Sequence, residues 1–185
     1  MALPHRVRFN YEDFLLFPKD GKRHEIIDGD HFMTPAPNTK HQRVSGRLFT
    51  ALTNFLKARK SGEAFAAPYD VVLSEEDIVE PDLLFVSASR SAIITEKNVQ
   101  GPPDLVVEIL SAGTRKTDEI IKRKLYERYG VREYWIVDPE LETVKIYRLS
   151  DEGYVRPTEL AQEANETLST PLLPEFQVPL ADLFG

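Results

Sequence analysis

Residues 104–110, Asp-Leu-Val-Val-Glu-Ile-Leu, limit what this chain can fold into more than any other stretch. The short, nearly unbroken run of Val, Ile and Leu predicts a strand covered on both faces, the kind found at the centre of a layered α/β structure. Glu108 interrupts it. A carboxylate taken out of water costs several kcal/mol unless it is neutralised or paired, so the sequence must supply a partner.

The next predicted helix, about Asp118 to Tyr129, offers one. Asp118, Lys122 and Tyr126 are spaced four apart and share a stripe beside the apolar face of Ile121, Leu125 and Tyr129. Lys122 can lay its stem along the core and present its ammonium to the strand layer. Gly130 suits the left-handed cap that ends such a helix. Taken alone, Glu108 and Lys122 describe either a structural salt bridge or part of a site. Asp82, at the start of another apolar run, "EPDLLFVSAS", widens the choice. Two acids at the ends of neighbouring strands repel unless they share a proton or hold a cation, and hard oxygen donors suit Mg²⁺ or Mn²⁺.

The remaining elements fit a layered domain. "NYEDFLLF" predicts a short helix, and "HEIIDGDHFM" a hairpin turning at Asp28 and Gly29, with Glu25 in its first strand. Asn38 or Thr39 caps a long helix with Val44, Leu48, Leu52, Phe55 and Leu56 on one face. "EAFAAPYDVVL" reads as one further strand, residues 89–103 as irregular, and "REYWIVD" and "TVKIYRL" as two strands joined by "PELE". In the second-last pair Tyr134, Trp135 and Ile136 continue an apolar strand and read as core. The proline-rich tail, "TPLLPEFQVPLADLF", reads as extended segments packed on the outside. Strands interleaved with long helices imply an α/β or α+β structure with a mixed sheet and a helix on each face.

Length and composition bound the function. One domain over residues 1–185 is expected, and 42% hydrophobic residues suffice for its core. The chain has no cysteine, hence no disulfide or thiolate metal site, and no apolar leader or span in the sequence; a cytoplasmic protein is expected. A net charge of -7 argues against non-specific coating of nucleic acid. Charge is nevertheless segregated: residues 39–60 hold six bases and no acid, and residues 115–132 hold seven bases and three acids. Lys40, Arg43 and Arg47 on the long helix could contact phosphates or could form an ordinary solvated face.

Together the segments "HEIIDGD", "PAPNTKHQRVSGRLF", "APYDVVL", "EPDLLFV", "PPDLVVEILS" and "TDEIIKRKLYERYGVREYWIVDP" resemble the PD-(D/E)XK nuclease superfamily. More narrowly, they resemble a bacterial family of restriction-endonuclease-like proteins that is numerous in cyanobacteria and catalogued as a domain of unknown function. The resemblance implies a restriction-endonuclease-like core, with a central mixed β-sheet flanked by helices and extra β-hairpins. It also implies a divalent metal held by Asp82 and Glu108, with Glu25 as the early acid that touches the metal directly or through water. The superfamily's usual lysine position, two residues after the second acid, is Leu110 here. The resemblance moves that lysine onto the helix at Lys122, with Lys124 as a substitute facing another side. Asp118 would hold Lys122. His41 lies in a matching stretch, and Glu80 stands where relatives usually carry Gln.

The same residues have plainer readings: Asp82 as a strand-end polar group, Glu25 as an exposed strand residue, His41 as a surface or capping residue, and Asp118 as an acid near a helix N-terminus. Three functions follow as expectations. The first is a Mg²⁺-dependent DNA endonuclease, dimeric through exposed strands or the tail, leaving a 5′-phosphate and a 3′-hydroxyl. The second is a nuclease-fold interaction or nucleic-acid-binding module with weak catalysis. The third is a phosphoesterase acting on a small or RNA substrate.

Overall fold

In the computed structural model, which describes residues 7–34, 36–111 and 113–185, the chain alternates strands with few helices. Residues 1–6, and Pro35 and Ala112 of two loops, lie outside the described residues. In chain order the elements begin with α1 (Tyr11–Phe14), β1 (Arg23–Ile27), β2 (Asp30–Thr34) and α2 (Thr39–Arg59). Five strands follow, β3 (Gly62–Ala66), β4 (Val71–Ser74), β5 (Asp77–Val79), β6 (Leu83–Ser87) and β7 (Val99–Gln100), with a 3₁₀ segment at Ala88–Ile93. After β8 (Leu105–Ile109), a π-helical turn at Thr117–Lys122 runs into α3 (Arg123–Tyr129). The chain closes with β9 (Glu133–Asp138), β10 (Thr143–Ser150), β11 (Gly153–Tyr154), β12 (Thr158–Ala161), β13 (Thr167–Thr170), β14 (Leu173–Pro179) and α4 (Leu180–Phe184).

The main sheet runs β11-β10-β9-β8-β6-β3, with β12 also on β10. It is mixed, because β8 and β9 are parallel while β6 and β8 are antiparallel. A second sheet, β2-β1-β5-β4-β7, and a β13-β14 ribbon complete the strands. Side chains alternate across β6 and β8 and so feed two cores. Leu83, Phe85, Leu105, Val107 and Ile109 meet the α2 stripe of Val44, Leu48, Leu52 and Leu56. Leu84, Val86, Val106 and Leu110 meet Leu125 and Tyr126 of α3 and Val71 and Val79 of the second sheet. A helix thus covers each face of the mixed sheet, as expected from the sequence.

Local expectations are met at several turns. Asp28 and Gly29 both have positive φ, 51° and 73°, which closes the β1-β2 hairpin with the twist such pairs favour. Asn38 caps α2 by accepting from the His41 N–H, and Gly130 ends α3 at φ 80°. Two expectations need correction. "EAFAAPYDVVL" is not one strand: around Pro68, which has no N–H for a ladder, the chain leaves β3 in the main sheet and enters β4 in the second. The tail is not only an outer wrapping: Leu180 and Leu183 are fully buried in the α2 core, where their spacing along α4 turns them inward.

Candidate active site

The mixed sheet creates the site by register. Leu83 pairs with Val107, so one step further along the antiparallel ladder Asp82 stands opposite Glu108. Both are buried, at 4% and 2% exposure; Glu108 alternates with Val107 onto the α3 side, while Asp82, just before β6, meets His41 of α2 and Arg23 of β1. The ladder also supplies a donor, since the Ile109 N–H reaches Asp82 Oδ2 at 2.7 Å.

Glu108 finds the partner its burial requires. Lys122 Nζ donates to Glu108 Oε1 at 2.9 Å and lies 2.8 Å from Glu25 Oε1 and 3.8 Å from Asp118 Oδ1. The Tyr126 hydroxyl donates to the same Glu108 oxygen at 2.9 Å. Lys122 and Tyr126 are one turn apart, so the predicted stripe delivers both to Glu108. The π-helical turn carries Asp118 and Lys122 inward together, and both are buried.

Asp82 has its own partners. Arg23 Nη1 is 2.7 Å from Oδ1, and His41 Nε2 is 3.1 Å from Oδ2. Arg23 also donates to the Glu80 carbonyl at 3.2 Å, and its Nε lies 3.8 Å from Glu80 Oε1. The sequence reading missed Arg23. A signal was present: Arg23 is two residues before Glu25, so on a strand the two share a face.

Glu25 is buried at 2% exposure, not an exposed strand residue. Its Oε1 takes the Lys122 ammonium and the Glu80 N–H at 2.8 Å, so it stands behind the lysine and is not among the residues lining the cleft. Leu110, at the usual strand position of the lysine, packs into the α3-side core at 5% exposure.

A cleft of about 230 Å³ opens over these groups, lined by Arg23, His41, Asp82, Glu108, Asp118 and Lys122. Through Arg23, Thr34 and Asp82 it joins a second hollow of about 310 Å³. Through Gly21, Lys22 and Glu80 that hollow joins a third of about 670 Å³, bordered by Lys19, Tyr69 and Lys97. The three hollows are neighbours with these wall residues in common, and together they make up a trough. The α2 basic stripe lies elsewhere. Lys40 pairs with Glu140 at 3.3 Å, while Arg43 and Arg47 line a separate groove with Asp182, and Arg47 donates to the Leu183 carbonyl.

The electrostatics show a surplus of negative charge. Burial, helped by Asp118, Asp82 and Glu25, pushes Glu108 up to about 8 against the pull of Lys122. Burial likewise raises Glu80 to about 7 and Asp118 to about 6. Asp82 goes the other way: burial opposes its charge, but His41, Arg23 and the Ile109 N–H outweigh it and hold the carboxyl below its ordinary range. Burial works against the Lys122 ammonium, yet Glu108, Glu25 and Asp118 more than compensate and keep it charged. Burial is the largest cause of each raise, with neighbouring carboxylates adding to it, and a bound cation would favour the ionised forms.

Among the described residues no set of three or more His, Asp or Glu side chains forms a ready-made metal cage. The donor chemistry on the cleft floor nevertheless fits a small hard cation, which is commonly held by one or two carboxylates and water. Asp82 and Glu108 are adjacent, and Glu108 Oε2 takes no hydrogen bond from any described residue.

A mixed sheet flanked by helices, with paired acids and a lysine gathered at neighbouring strand ends, defines the class of restriction-endonuclease-like proteins. The chain belongs to the Uma2 family, described as "Putative restriction endonuclease", whose family model matches residues 11–181. Among solved structures it is similar to "a putative nuclease belonging to DUF820" from Anabaena variabilis ATCC 29413, with a TM-score of 0.80 and 21% identity, covering 95% of this chain and 97% of that one. That likeness establishes a shared fold. A weaker match, TM-score 0.44 and 13% identity, is the type IIG restriction endonuclease BpuSI, of which only 16% is covered. No curated protein matches the chain.

Proposed function

We propose that the protein is a metal-dependent DNA endonuclease. The observation that carries this reading is the cross-strand Asp82–Glu108 pair facing a cleft, with Lys122 tied to Glu108 at 2.9 Å. Asp82 and Glu108 would hold Mg²⁺ or Mn²⁺, which when bound supplies an activated water and polarises a phosphoryl oxygen. Lys122, kept charged by its three carboxylates, acts as a hydrogen-bond donor and not as a base; it steadies the negative charge that grows on the phosphorus oxygens. Glu25 and Asp118 hold the ammonium in place from either side. His41 fixes Oδ2 of the Asp82 carboxylate, and a cation would approach Oδ1, the oxygen that Arg23 holds. Hydrolysis in this arrangement would leave a 5′-phosphate and a 3′-hydroxyl.

The trough, bordered by Lys19, Lys22 and Lys97, gives the phosphate backbone a path to the acids. Lys40, Arg43 and Arg47 would make outer contacts with a longer duplex. We further propose a cytoplasmic single-domain protein acting as a homodimer. No helix among the described residues is long and apolar enough to cross a membrane.

The competing interaction-module reading draws on the self-pairing of every acid in the cleft with Arg23, His41 or Lys122. Plasmid nicking with Mg²⁺ and Mn²⁺ separates the two. Asp82→Asn and Glu108→Gln are expected to cut the rate about 10²–10³-fold or more while the chain stays folded. Wild-type protein that leaves the plasmid intact under both metals would favour the module.

A further inference from the structure

We propose that Arg23 is the exchangeable counter-ion of the cleft: a divalent cation displaces it from Asp82, and Glu80 takes up the freed guanidinium. The proposal rests on the metal-nuclease reading and assigns two residues that reading does not use.

The first observation is a count of acceptor sites. An ionised carboxylate offers roughly four lone-pair sites over two oxygens. Asp82 Oδ2 is filled, by His41 Nε2 at 3.1 Å and the Ile109 N–H at 2.7 Å. What remains for a metal is on Oδ1, and Arg23 Nη1 sits there at 2.7 Å. A second cation on that oxygen would be placed beside a guanidinium that is always charged. Two like charges in a buried site repel strongly, so one must leave.

The second observation is independent. Glu80 Oε1 is buried and has no hydrogen-bond partner, which is costly for a carboxylate. The nearest cation is Arg23 Nε, at 3.8 Å too long to be a hydrogen bond. Arg23 already holds the Glu80 carbonyl at 3.2 Å, so its guanidinium stays anchored to this residue when it releases Asp82. Five N–H donors in a rigid fork let a small rotation exchange Oδ1 of Asp82 for Oε1 of Glu80. Both side chains line the second hollow of the trough, so the exchange takes place at the cleft wall. The orphaned oxygen is thus the acceptor awaiting the displaced arginine.

The test is calorimetric titration of Mg²⁺ and Mn²⁺, paired with the metal-dependent rise in Tm, for wild type, Arg23→Met, Glu80→Gln and the double variant. Arg23→Met should bind metal about fivefold more tightly or better, and Glu80→Gln more weakly by a similar factor. In the Arg23→Met background, Glu80→Gln should change affinity little, because no guanidinium remains to be received. Should Arg23→Met fail to fold, Arg23→Gln removes the same charge and carries the same expectation. Unchanged or weaker binding on loss of Arg23 overturns the proposal. So does an equal effect of Glu80→Gln in both backgrounds, which would make Glu80 a direct electrostatic contributor. Asp82→Asn and Glu108→Gln serve as the check on the underlying reading: if they bind metal as wild type does, or if no variant binds any, the carboxylate metal site itself is wrong and the exchange falls with it.

Discussion

Lys122 satisfies three carboxylates with a single ammonium, and the shortfall makes this cleft sensitive to protons. Burial raises Glu108, Glu80 and Asp118 to about 8, 7 and 6, above the ordinary carboxyl values of 4.5, 4.5 and 3.8. The folded chain therefore holds extra protons between those limits. Their contribution to stability is fully present below the unfolded values and is lost as pH rises through the folded ones. Urea midpoints measured in chelator should fall as the buffer moves from about pH 5 to about pH 8.5, and Glu108→Gln should flatten that decline. A level wild-type profile would contradict it. At this scale the sequence was informative where chemistry was costly. A Glu inside an apolar strand demands a partner, and helical spacing named Lys122. Arg23 escaped because an arginine at a strand end looks like surface; only the fold turns it toward Asp82.

Among elements, the helices and the central strands announced themselves, because α2 repeats its apolar residues with a helix period and β8 is apolar on both faces. The split of β3 from β4 did not, since two short runs on either side of Pro68 carry the same residue types as one long strand. The tail misled for a similar reason: prolines suggested an outer wrapping, while Leu180 and Leu183 complete the α2 core. Leu183→Ala should therefore cost about 2–5 kcal/mol, as deletion of a fully buried leucine does, read from urea or thermal unfolding. A loss below about 0.5 kcal/mol, typical of surface changes, would return the tail to the periphery.

For the whole molecule, the separation of acidic and basic stretches in sequence does not become one basic face. Arg115, Arg128 and Arg132 are paired with Asp138, Asp77 and Asp104, so much of the second basic stretch is already neutralised within the fold. This agrees with a net charge of -7, and under the proposed function it is the lysines beside the trough that would steer a polyanion. Two-fold symmetry suits an enzyme that cuts both strands of a duplex. With the tail folded into its own core, strand β2 at the end of the second sheet is the more suitable surface for pairing. Sedimentation at several concentrations should show a dimer that dissociates on dilution; a monomer throughout would confine each copy to one strand at a time.

The π-helical turn ahead of α3 makes the lysine's position a question of angular phase. A residue placed on a strand is located by counting along the chain, but one carried on a helix is located by rotation, at about 100° per residue. Removing a residue from this turn would tighten it and shift the angular phase between Asp118 and Lys122, which lies in register with Tyr126 of α3, and so break up the groups gathered around Glu108. Insertions and deletions that a surface helix absorbs without effect would here act as point mutations of the site. The wide turn works as a phase adjuster, and its length, as much as the identity of Lys122, specifies which side chain faces the acids.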